Sequence, residues 1–198
     1  MSVSEPEAGL RGRLVDVGVE LVSQEGAQAL TLREIARRAG VSHGAPRRYF
    51  PTHLELLSAI ARRGFADLGE RATRALGVTD VTEASPRAQL TALGRVYLEF
   101  ALDNPGMYEL MFRHDLLESG HLGLRDTSLP LFGVLVDLVG RVRPDVDARL
   151  VSGALWANLH GLAQLWRWGS LQLATGADDF APLLRSALDA HLGPEAAV

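Results

Sequence analysis

The chain has 198 residues and a formal net charge of −4 at pH 7, with 47% hydrophobic and 22% charged residues. Such a composition can bury a substantial core and excludes a disordered polar chain, and the absence of cysteine excludes disulfides, thiolate zinc sites and cysteine nucleophiles. No stretch approaches the roughly 18 uninterrupted apolar residues of a membrane span. The N-terminus also lacks a signal-peptide pattern, so the sequence predicts a cytoplasmic protein without a membrane partner.

Charge is distributed unevenly along the chain. Residues 10–63 carry nine arginines against five carboxylates, a net charge of +4, whereas residues 77–198 carry nine arginines against fifteen carboxylates, a net charge of −6. A basic N-terminal module on an acidic body is typical of a protein that contacts DNA through a separate head. The overall acidity of the chain therefore does not argue against DNA binding.

Apolar residues recur at helical spacing along nearly the whole chain, and no alternating strand pattern is evident. The first apolar stripe runs from Leu10 to Leu21, and Gly26 is a suitable stop. Thr31 and Glu34 form a T-x-x-E capping box, which predicts the start of a second helix.

The second helix is predicted to end at Gly40, and a short third helix follows over residues 43–49, where Ser42 is in position to cap it. Thr52 and Glu55 form another capping box, which predicts the start of a long helix. Two helices joined by a short turn that contains glycine are typical of a helix-turn-helix unit.

The remainder of the chain is also predicted to be helical. Residues 77–84 form a polar connection, and Ser85-Pro86 and Asn104-Pro105 are each typical of a helix cap followed by proline. The predicted helical segments are 86–103, 105–115, 127–143, 146–170 and 178–192, with a loop over 116–126. The sequence therefore predicts an all-α protein of eight to nine helices.

The short third helix begins with small side chains, His43, Gly44 and Ala45, which would let its N-terminus enter a major groove. In that position Ala45 would pack on a thymine methyl, and Arg47 would reach guanine O6 and N7. The pattern alone leaves a second interpretation open, namely a helical hairpin with an ordinary solvated charged face.

The segment Leu30 to Ile60, LTLREIARRAGVSHGAPRRYFPTHLELLSAI, resembles the DNA-binding region of TetR-family transcriptional regulators. The resemblance is nearly ungapped and includes the A-x-x-A-G-V-S turn and the aromatic-phenylalanine-proline exit. It implies an N-terminal helix-turn-helix domain joined by a long helix to a helical effector-binding and dimerisation body. The expected divisions are a flexible N-terminus at 1–9, a DNA-binding domain at 10–65, the body at 66–192 and a flexible C-terminus at 193–198.

The same resemblance implies which residues contact double-stranded DNA. Three positions depart from the usual family pattern: Pro46 replaces a leucine-like residue, Arg47 a tyrosine and Tyr49 a histidine. Pro46 removes the hydrogen bond back to the Ser42 carbonyl, and Arg47 predicts an operator that contains guanine. The implied DNA-contacting residues are Thr31, Arg33, Ser42, His43, Gly44, Ala45, Arg47, Arg48, Tyr49 and His53.

In the body, the segment LWANLHGLAQLWRW resembles the regulator subtype marked by a tryptophan and a His-Gly pair, here Trp156, His160 and Gly161. Trp156 and His160 are four residues apart and so share one helix face. A hydrogen-bonded core histidine is the alternative. The resemblance implies a cavity for a small, mostly apolar effector. The predicted lining residues are Phe100, Tyr108, Met111, Phe112, Val134, Trp156 and His160.

The last two helices are the expected dimer surface, because small residues and leucines alternate along them at helical spacing. Two such pairs would form a four-helix bundle across a two-fold axis. That symmetry predicts a homodimer on a palindromic operator with half-sites roughly 34–36 Å apart. The predicted interface residues are Val151, Leu155, Leu159, Leu162, Leu184 and Leu188.

No catalytic or cofactor motif accompanies these features. His114, Asp115 and His121 match no recognised metal-ligand spacing, and phosphate-binding loops and serine-histidine-acid sets are missing from the sequence. The sequence therefore predicts neither an enzyme nor a cofactor or metal site. The family resemblance, rather than any single residue, implies a ligand-responsive repressor in which the effector favours a head spacing that misfits the operator. The alternative is a helical protein-interaction or ligand-sequestering module that does not bind DNA because Pro46 disables the short helix.

Overall fold

In the computed structural model, residues 5–77, 85–118 and 123–194 are described, with side chains from residue 9 onward. Within these ranges the chain is helical and contains no strand, which confirms the predicted all-α class. Two 3-10 helices cover Ala27–Ala29 and Ala45–Arg48. The α-helices are α1 (Glu5–Glu25), α2 (Leu32–Arg38), α3 (His53–Gly77), α4 (Pro86–Asp103), α5 (Pro105–Met111), α6 (His114–Glu118), α7 (Leu124–Val142), α8 (Ala148–Arg167), α9 (Ser170–Thr175) and α10 (Ala181–Leu192).

The described ranges hold ten α-helices where eight or nine are predicted, because two predicted segments are each interrupted and the predicted helix over 43–49 is a 3-10 helix. The segment 105–115 breaks between α5 and α6, and the segment 146–170 ends at Arg167, before Gly169 with φ 74°. This φ lies in the left-handed region, which glycine adopts readily and which does not continue an α-helix, so the helix ends before Gly169. The loop predicted over 116–126 is wrong where α6 and α7 extend into it, and residues 119–122 lie outside the described ranges.

Two further boundary predictions fall at the edges of the described chain. Helix α1 begins at Glu5, within the segment where a flexible N-terminus is predicted. Most of the predicted polar connection at 77–84, and the last four residues of the predicted C-terminal tail, lie outside the described residues.

Helix α2 begins and ends as its sequence predicts. The Glu34 N–H donates to Thr31 Oγ1 at 3.2 Å. At the other end, Gly40 has φ 67°, and the N–H of Val41 donates to the Ala36 carbonyl at 3.0 Å, a Schellman-type ending. These two ends fix the length of the first helix of the helix-turn-helix.

The capping box that opens α3 is complete. The Glu55 N–H donates to Thr52 Oγ1 at 3.2 Å, and the Thr52 N–H donates to Glu55 Oε2 at 3.1 Å. Two backbone donors that α3 could not satisfy by itself are therefore paired.

Packing divides the chain into two compact units. The first contains the chain up to Asp67 together with Asn104–Ser128, and the second contains Leu68–Asp103 together with the chain from Leu129 onward. The divisions therefore fall within α3, between α4 and α5, and within α7.

The first unit packs α1 against α2 and α5. Its core includes Leu14, Ile35, Phe50, Ile60 and Tyr108, each 1% exposed or less. Helices α1 and α5 approach closely at Gly106, where a Cβ atom would overlap the Val22 carbonyl oxygen. A backbone oxygen cannot move aside as a side chain can, so this contact requires glycine.

The second unit packs α4, α8 and α10 against one another. Its core is mainly aliphatic and includes Leu90, Leu98, Leu155, Leu184 and Leu188, each 2% exposed or less. Gly94 of α4 is the close contact here, since a Cβ atom would lie 2.7 Å from Leu184 Cδ1.

Candidate functional site

The second element of the helix-turn-helix, which we call the recognition turn, is the 3-10 helix Ala45–Arg48 rather than the predicted α-helix over 43–49. Its N-cap residue is Gly44, with no side-chain cap, so the capping predicted for Ser42 is not made. Pro46 explains the change, because it has no N–H to donate to the Ser42 carbonyl. Instead, the Ala45 N–H donates to the Ser42 carbonyl at 3.0 Å, which is an i to i−3 bond of the 3-10 type.

The end of the recognition turn is tied to Pro46. The N–H groups of Tyr49 and Phe50 donate to the Pro46 carbonyl at 3.0 and 2.9 Å. The Pro46 side chain is buried, and the Phe50 ring is 1% exposed. Pro46 therefore anchors the turn on its inner side while Arg47 and Arg48 remain exposed.

The residues predicted to contact DNA lie mostly at the surface. Ala45 and Tyr49 are half-buried, and the other eight are exposed, namely Thr31, Arg33, Ser42, His43, Gly44, Arg47, Arg48 and His53. Exposure is necessary for a DNA contact, although a solvated charged face would show it equally.

His53 has a structural contact in addition to its exposure. Its Nε2 lies 2.6 Å from the Leu30 carbonyl oxygen, and only a protonated nitrogen can hydrogen-bond to a carbonyl. This bond joins the start of α3 to the residue before the Thr31 cap. The Nε2–H of His53 is therefore already hydrogen-bonded to Leu30 and is not available to a phosphate.

Arginines of the helix-turn-helix divide into two groups by their charge partners. Glu34 accepts hydrogen bonds from Arg37 at 2.6 and 2.8 Å and from Arg38 at 2.8 Å, and Arg38 also pairs with Glu25 of α1. The hydrogen bonds from Arg37 and then Arg38 lower the pKa of Glu34 to about 2. Both arginines are therefore paired with carboxylates of the protein, and Arg38 links α2 to α1 through Glu25.

Arg33 and Arg47 form the other group. Both are exposed, and no carboxylate among the side chains that the structure describes pairs with either of them. Their positive charge is therefore available to an external anion. Together with the small residues that open the recognition turn, they form a basic surface suited to a nucleic acid.

In the second unit, the structure brings Trp156 and His160 together with a residue that the sequence analysis missed, Tyr97 of α4. The Trp156 indole Nε1–H donates to the Tyr97 hydroxyl at 3.2 Å. The same hydroxyl is hydrogen-bonded to His160 Nδ1 at 2.9 Å, with the donor set by the tautomer of the imidazole. We call Tyr97, Trp156 and His160 the polar triad.

His160 is favoured in its neutral form within the polar triad. Burial lowers the pKa of His160, because desolvation disfavours the charged imidazolium. The triad is bordered by Phe132, whose ring meets Trp156 edge-on at 6.2 Å, and Trp156 itself is 39% exposed.

The other predicted pocket residues are divided between the two units. Tyr108 and Phe112 lie in the first unit with ring centroids 4.9 Å apart, and Met111 there is fully buried. In the second unit Phe100 is buried and Val134 is 42% exposed. A groove of about 310 Å³ in the second unit is lined by Arg71, Arg74, Val96 and Glu99, none of which is a predicted pocket residue.

The predicted dimer-interface leucines are covered within the second unit by its own helices. Leu155, Leu159, Leu162, Leu184 and Leu188 are each 8% exposed or less, and Val151 is half-buried. The outward side of α8 and its C-cap carries a different set of small and apolar residues at helical spacing, which we call the α8 stripe. It consists of Leu150, Ala154, Ala157, Gly161, Leu165 and Trp168.

The α8 stripe leaves large apolar side chains in contact with solvent. Leu150 is 72% exposed, Leu165 40% and Trp168 70%.

The described residues contain no group of three or more histidines or carboxylates that could hold a metal ion. No helix in the described part of the chain combines the length and apolarity needed to cross a membrane.

Comparison with protein families matches both parts of the chain. Residues 14–60 match the model described as bacterial regulatory proteins, tetR family. Residues 90–190, just over half of the chain, match the model described as tetracyclin repressor-like, C-terminal domain.

Curated relatives and solved structures agree with these matches. An HTH-type transcriptional repressor of Mycobacterium tuberculosis is 29% identical over 174 residues, which are 88% of this chain and 74% of that protein. The nucleoid occlusion factor SlmA of Haemophilus ducreyi is 31% identical over 106 residues, 53% of this chain, and the match spans only 50% of that protein's length. A TetR-family transcriptional regulator from Streptomyces coelicolor superposes with a TM-score of 0.65 and 28% identity, covering 93% of this chain and 98% of that one.

Proposed function

Because the chain belongs to the TetR family of bacterial regulatory proteins, we propose that it is a sequence-specific, DNA-binding transcriptional repressor that acts as a homodimer. The observation that carries this proposal is the basic surface of the helix-turn-helix, where Arg33 and Arg47 have no described carboxylate partner. Neighbouring Arg37 and Arg38 are neutralised by Glu34 and Glu25. On this surface, therefore, Arg33 and Arg47 are available to bind DNA, whereas Arg37 and Arg38 are already paired with carboxylates.

The recognition turn enters the major groove with its small residues first. Arg47 donates to O6 and N7 of a guanine, which is the commonest specific contact of arginine with a base. Arg33 and the exposed residues around the turn hold phosphates and fix the register without reading sequence. A single 3-10 turn presents fewer side chains than a longer helix, so Arg47 carries much of the specificity.

Dimerisation uses the α8 stripe, where the small side chains of Ala154, Ala157 and Gly161 permit close helix approach. The exposed Leu150, Leu165 and Trp168 supply apolar area to bury. The predicted interface leucines lie on the buried sides of α8 and α10, where α8 packs against α4 and α10. A two-fold axis through the stripe pairs two recognition turns and so specifies a palindromic operator.

The effector binds in the body and releases DNA by favouring a spacing of the two heads that misfits the operator. The polar triad gives the effector site its chemistry, because the half-exposed Trp156 offers an apolar ring and Tyr97 and His160 orient a polar group. This arrangement suits a small, mostly apolar molecule that carries one or two polar atoms.

The experiment is a selection of bound fragments from a random duplex pool, with wild type, Arg47→Ala and Arg37→Ala in parallel. Arg37→Ala is the matched control, since Arg37 is also an exposed arginine but its charge is already paired with Glu34. We expect wild type to recover a two-fold symmetric site. Arg47→Ala should relax preference at one symmetric base pair and cost about 1–3 kcal/mol, whereas Arg37→Ala should retain the site.

Two outcomes would contradict the proposal. Folded wild-type protein that enriches no sequence would favour a helical interaction module without DNA binding. Equal weakening on all sequences by Arg47→Ala would show that Arg47 contacts phosphate rather than a base.

A further inference from the structure

Arg11 of α1 lies beside the end of the recognition turn, although it is far from it in sequence. Its guanidinium carbon is 5.0 Å from the centroid of the Phe50 ring. Arg11 is exposed, whereas Phe50 is buried. The ring therefore holds a solvent-facing cation in place.

Phe50 is part of the recognition turn's hydrogen-bonded ending. Its N–H donates to the Pro46 carbonyl at 2.9 Å, and Tyr49 donates to the same oxygen at 3.0 Å. Because Phe50 is fixed to the turn, a guanidinium over its ring is fixed near the exit of the turn. This places a cation from α1 next to the elements proposed to contact DNA.

The charge of Arg11 is not committed to the carboxylates of α1 that the structure describes. Asp16 pairs with Arg63 at 3.0 Å, and Glu25 pairs with Arg38. Among the described side chains, the contact of Arg11 is the Phe50 ring. A cation–π contact at an exposed site contributes about 0.5–1 kcal/mol, and a guanidinium over a ring keeps its N–H donors for other acceptors.

We propose that Arg11 binds a DNA phosphate, so that α1 contributes a backbone contact from outside the helix-turn-helix. The proposal rests on the proposed DNA-binding function. Since a phosphate contact carries no sequence information, it raises affinity for every duplex and makes binding more dependent on salt. Phe50 acts as a positioning residue that restricts the guanidinium before DNA arrives.

The test measures binding of full-length protein to a random-sequence duplex by fluorescence anisotropy over a range of salt concentrations. The variants are Arg11→Met, which keeps an unbranched apolar chain over the ring but removes the charge, and Arg13→Met as the matched control. Arg13 is an exposed arginine on the same helix, turned by about 200° around its axis. We expect Arg11→Met to reduce the slope of log affinity against log salt by about 1 per protomer, and Arg13→Met to leave it unchanged.

Arg11→Lys and Arg11→Gln separate charge from packing. The lysine variant keeps the charge and should retain the wild-type slope, whereas the glutamine variant should lose the same slope as the methionine variant. Thermal unfolding of each variant identifies those that fold as wild type, and any folded charge-removing variant is sufficient for the test.

An unchanged slope in Arg11→Met or Arg11→Gln overturns the inference, and so does an equal loss in Arg13→Met, which would indicate a general effect of net charge. If wild-type protein binds no duplex at low salt, the proposed DNA-binding function itself fails. The two failures are therefore distinguished by the wild-type measurement.

Discussion

Around the recognition turn the exposed side chains of the first unit are arginines and small polar residues, whereas the outward side of α8 in the second unit is apolar. Both surfaces depend on what lies beneath them. In the first unit, Glu34 and Glu25 neutralise Arg37 and Arg38 and leave Arg33 and Arg47 without a described carboxylate. In the second, leucines fill the core and leave the α8 stripe uncovered. The ion pairs of the first unit and the core packing of the second thus determine which side chains remain available to a partner.

This comparison indicates two kinds of partner. Uncommitted arginines attract a polyanion and lose affinity as salt increases, whereas an apolar stripe is covered by another apolar surface and is much less sensitive to salt. Changing an uncommitted arginine should therefore weaken DNA binding and leave dimerisation intact, whereas changing the α8 stripe should weaken dimerisation and affect operator binding only through the loss of the dimer.

The largest effect is expected on the α8 stripe. Ala157→Glu would place two like charges together at a two-fold interface, and such a juxtaposition costs several kcal/mol, a rise of at least about 100-fold in the dimer dissociation constant. Sedimentation velocity over a range of protein concentrations measures the change. Ala88→Glu, at an exposed alanine of α4, is the control and should dimerise as wild type. Unchanged dimerisation of Ala157→Glu would remove the stripe from the interface.

A smaller effect is expected at the polar triad. Tyr97→Phe removes the hydroxyl that accepts from Trp156 and is hydrogen-bonded to His160, and loss of a part-buried hydroxyl of this kind costs about 1–3 kcal/mol of unfolding free energy. Urea denaturation measures the loss. Binding to a random duplex at low salt should be unchanged, because the substitution leaves the arginines of the first unit in place. A stability equal to wild type would mean that the hydroxyl makes no net contribution.

The smallest effects are expected when the pH is lowered. The first unit, through Glu34, and the second unit, through His160, should lose stability in different pH ranges. The folded pKa of Glu34 is about 2 against an ordinary 4.5, so its stabilising contribution is complete above pH 4.5 and is lost as the pH falls towards 2. The folded pKa of His160 lies below its ordinary 6.5, so stability is lost as the pH falls below 6.5, because the unfolded chain takes up the proton first.

Glu34→Gln and His160→Gln test this separation in urea denaturation at a series of pH values. Glu34→Gln should differ from wild type at neutral pH and converge with it near pH 2, whereas His160→Gln should lack the loss that begins below pH 6.5. Identical pH profiles for the two variants would contradict the assignment of separate windows.

Local sequence signals correctly predict both ends of α2 and the start of α3, because a capping box or a glycine ending acts between residues only a few positions apart. The pairs of Glu34 with Arg37 and Arg38 follow the same short spacing and could have been anticipated. Tyr97 could not, since it meets His160 from a position 63 residues away on another helix. No periodicity in α4 distinguishes a tyrosine that meets α8 from one that faces solvent.

Two other differences have physical causes that spacing does not reveal. Helix α8 has apolar residues on both its inward and its outward side. The spacing of leucines therefore does not show which side is buried in the core of the second unit and which side remains exposed. At the recognition turn, the missing Pro46 N–H was predicted. Its result, a 3-10 helix in place of an α-helix, depends on the competing Ala45 bond to Ser42.

The anchoring of the recognition turn by Pro46 has a consequence for the entropy of complex formation. The proline ring fixes one backbone torsion in the unfolded chain as well as in the folded one. With the Pro46 carbonyl also holding Tyr49 and Phe50, the turn acquires its order when the protein folds and not when DNA arrives. Less conformational freedom then remains to be lost on binding, so a recognition element of only four residues can still dock as a rigid body.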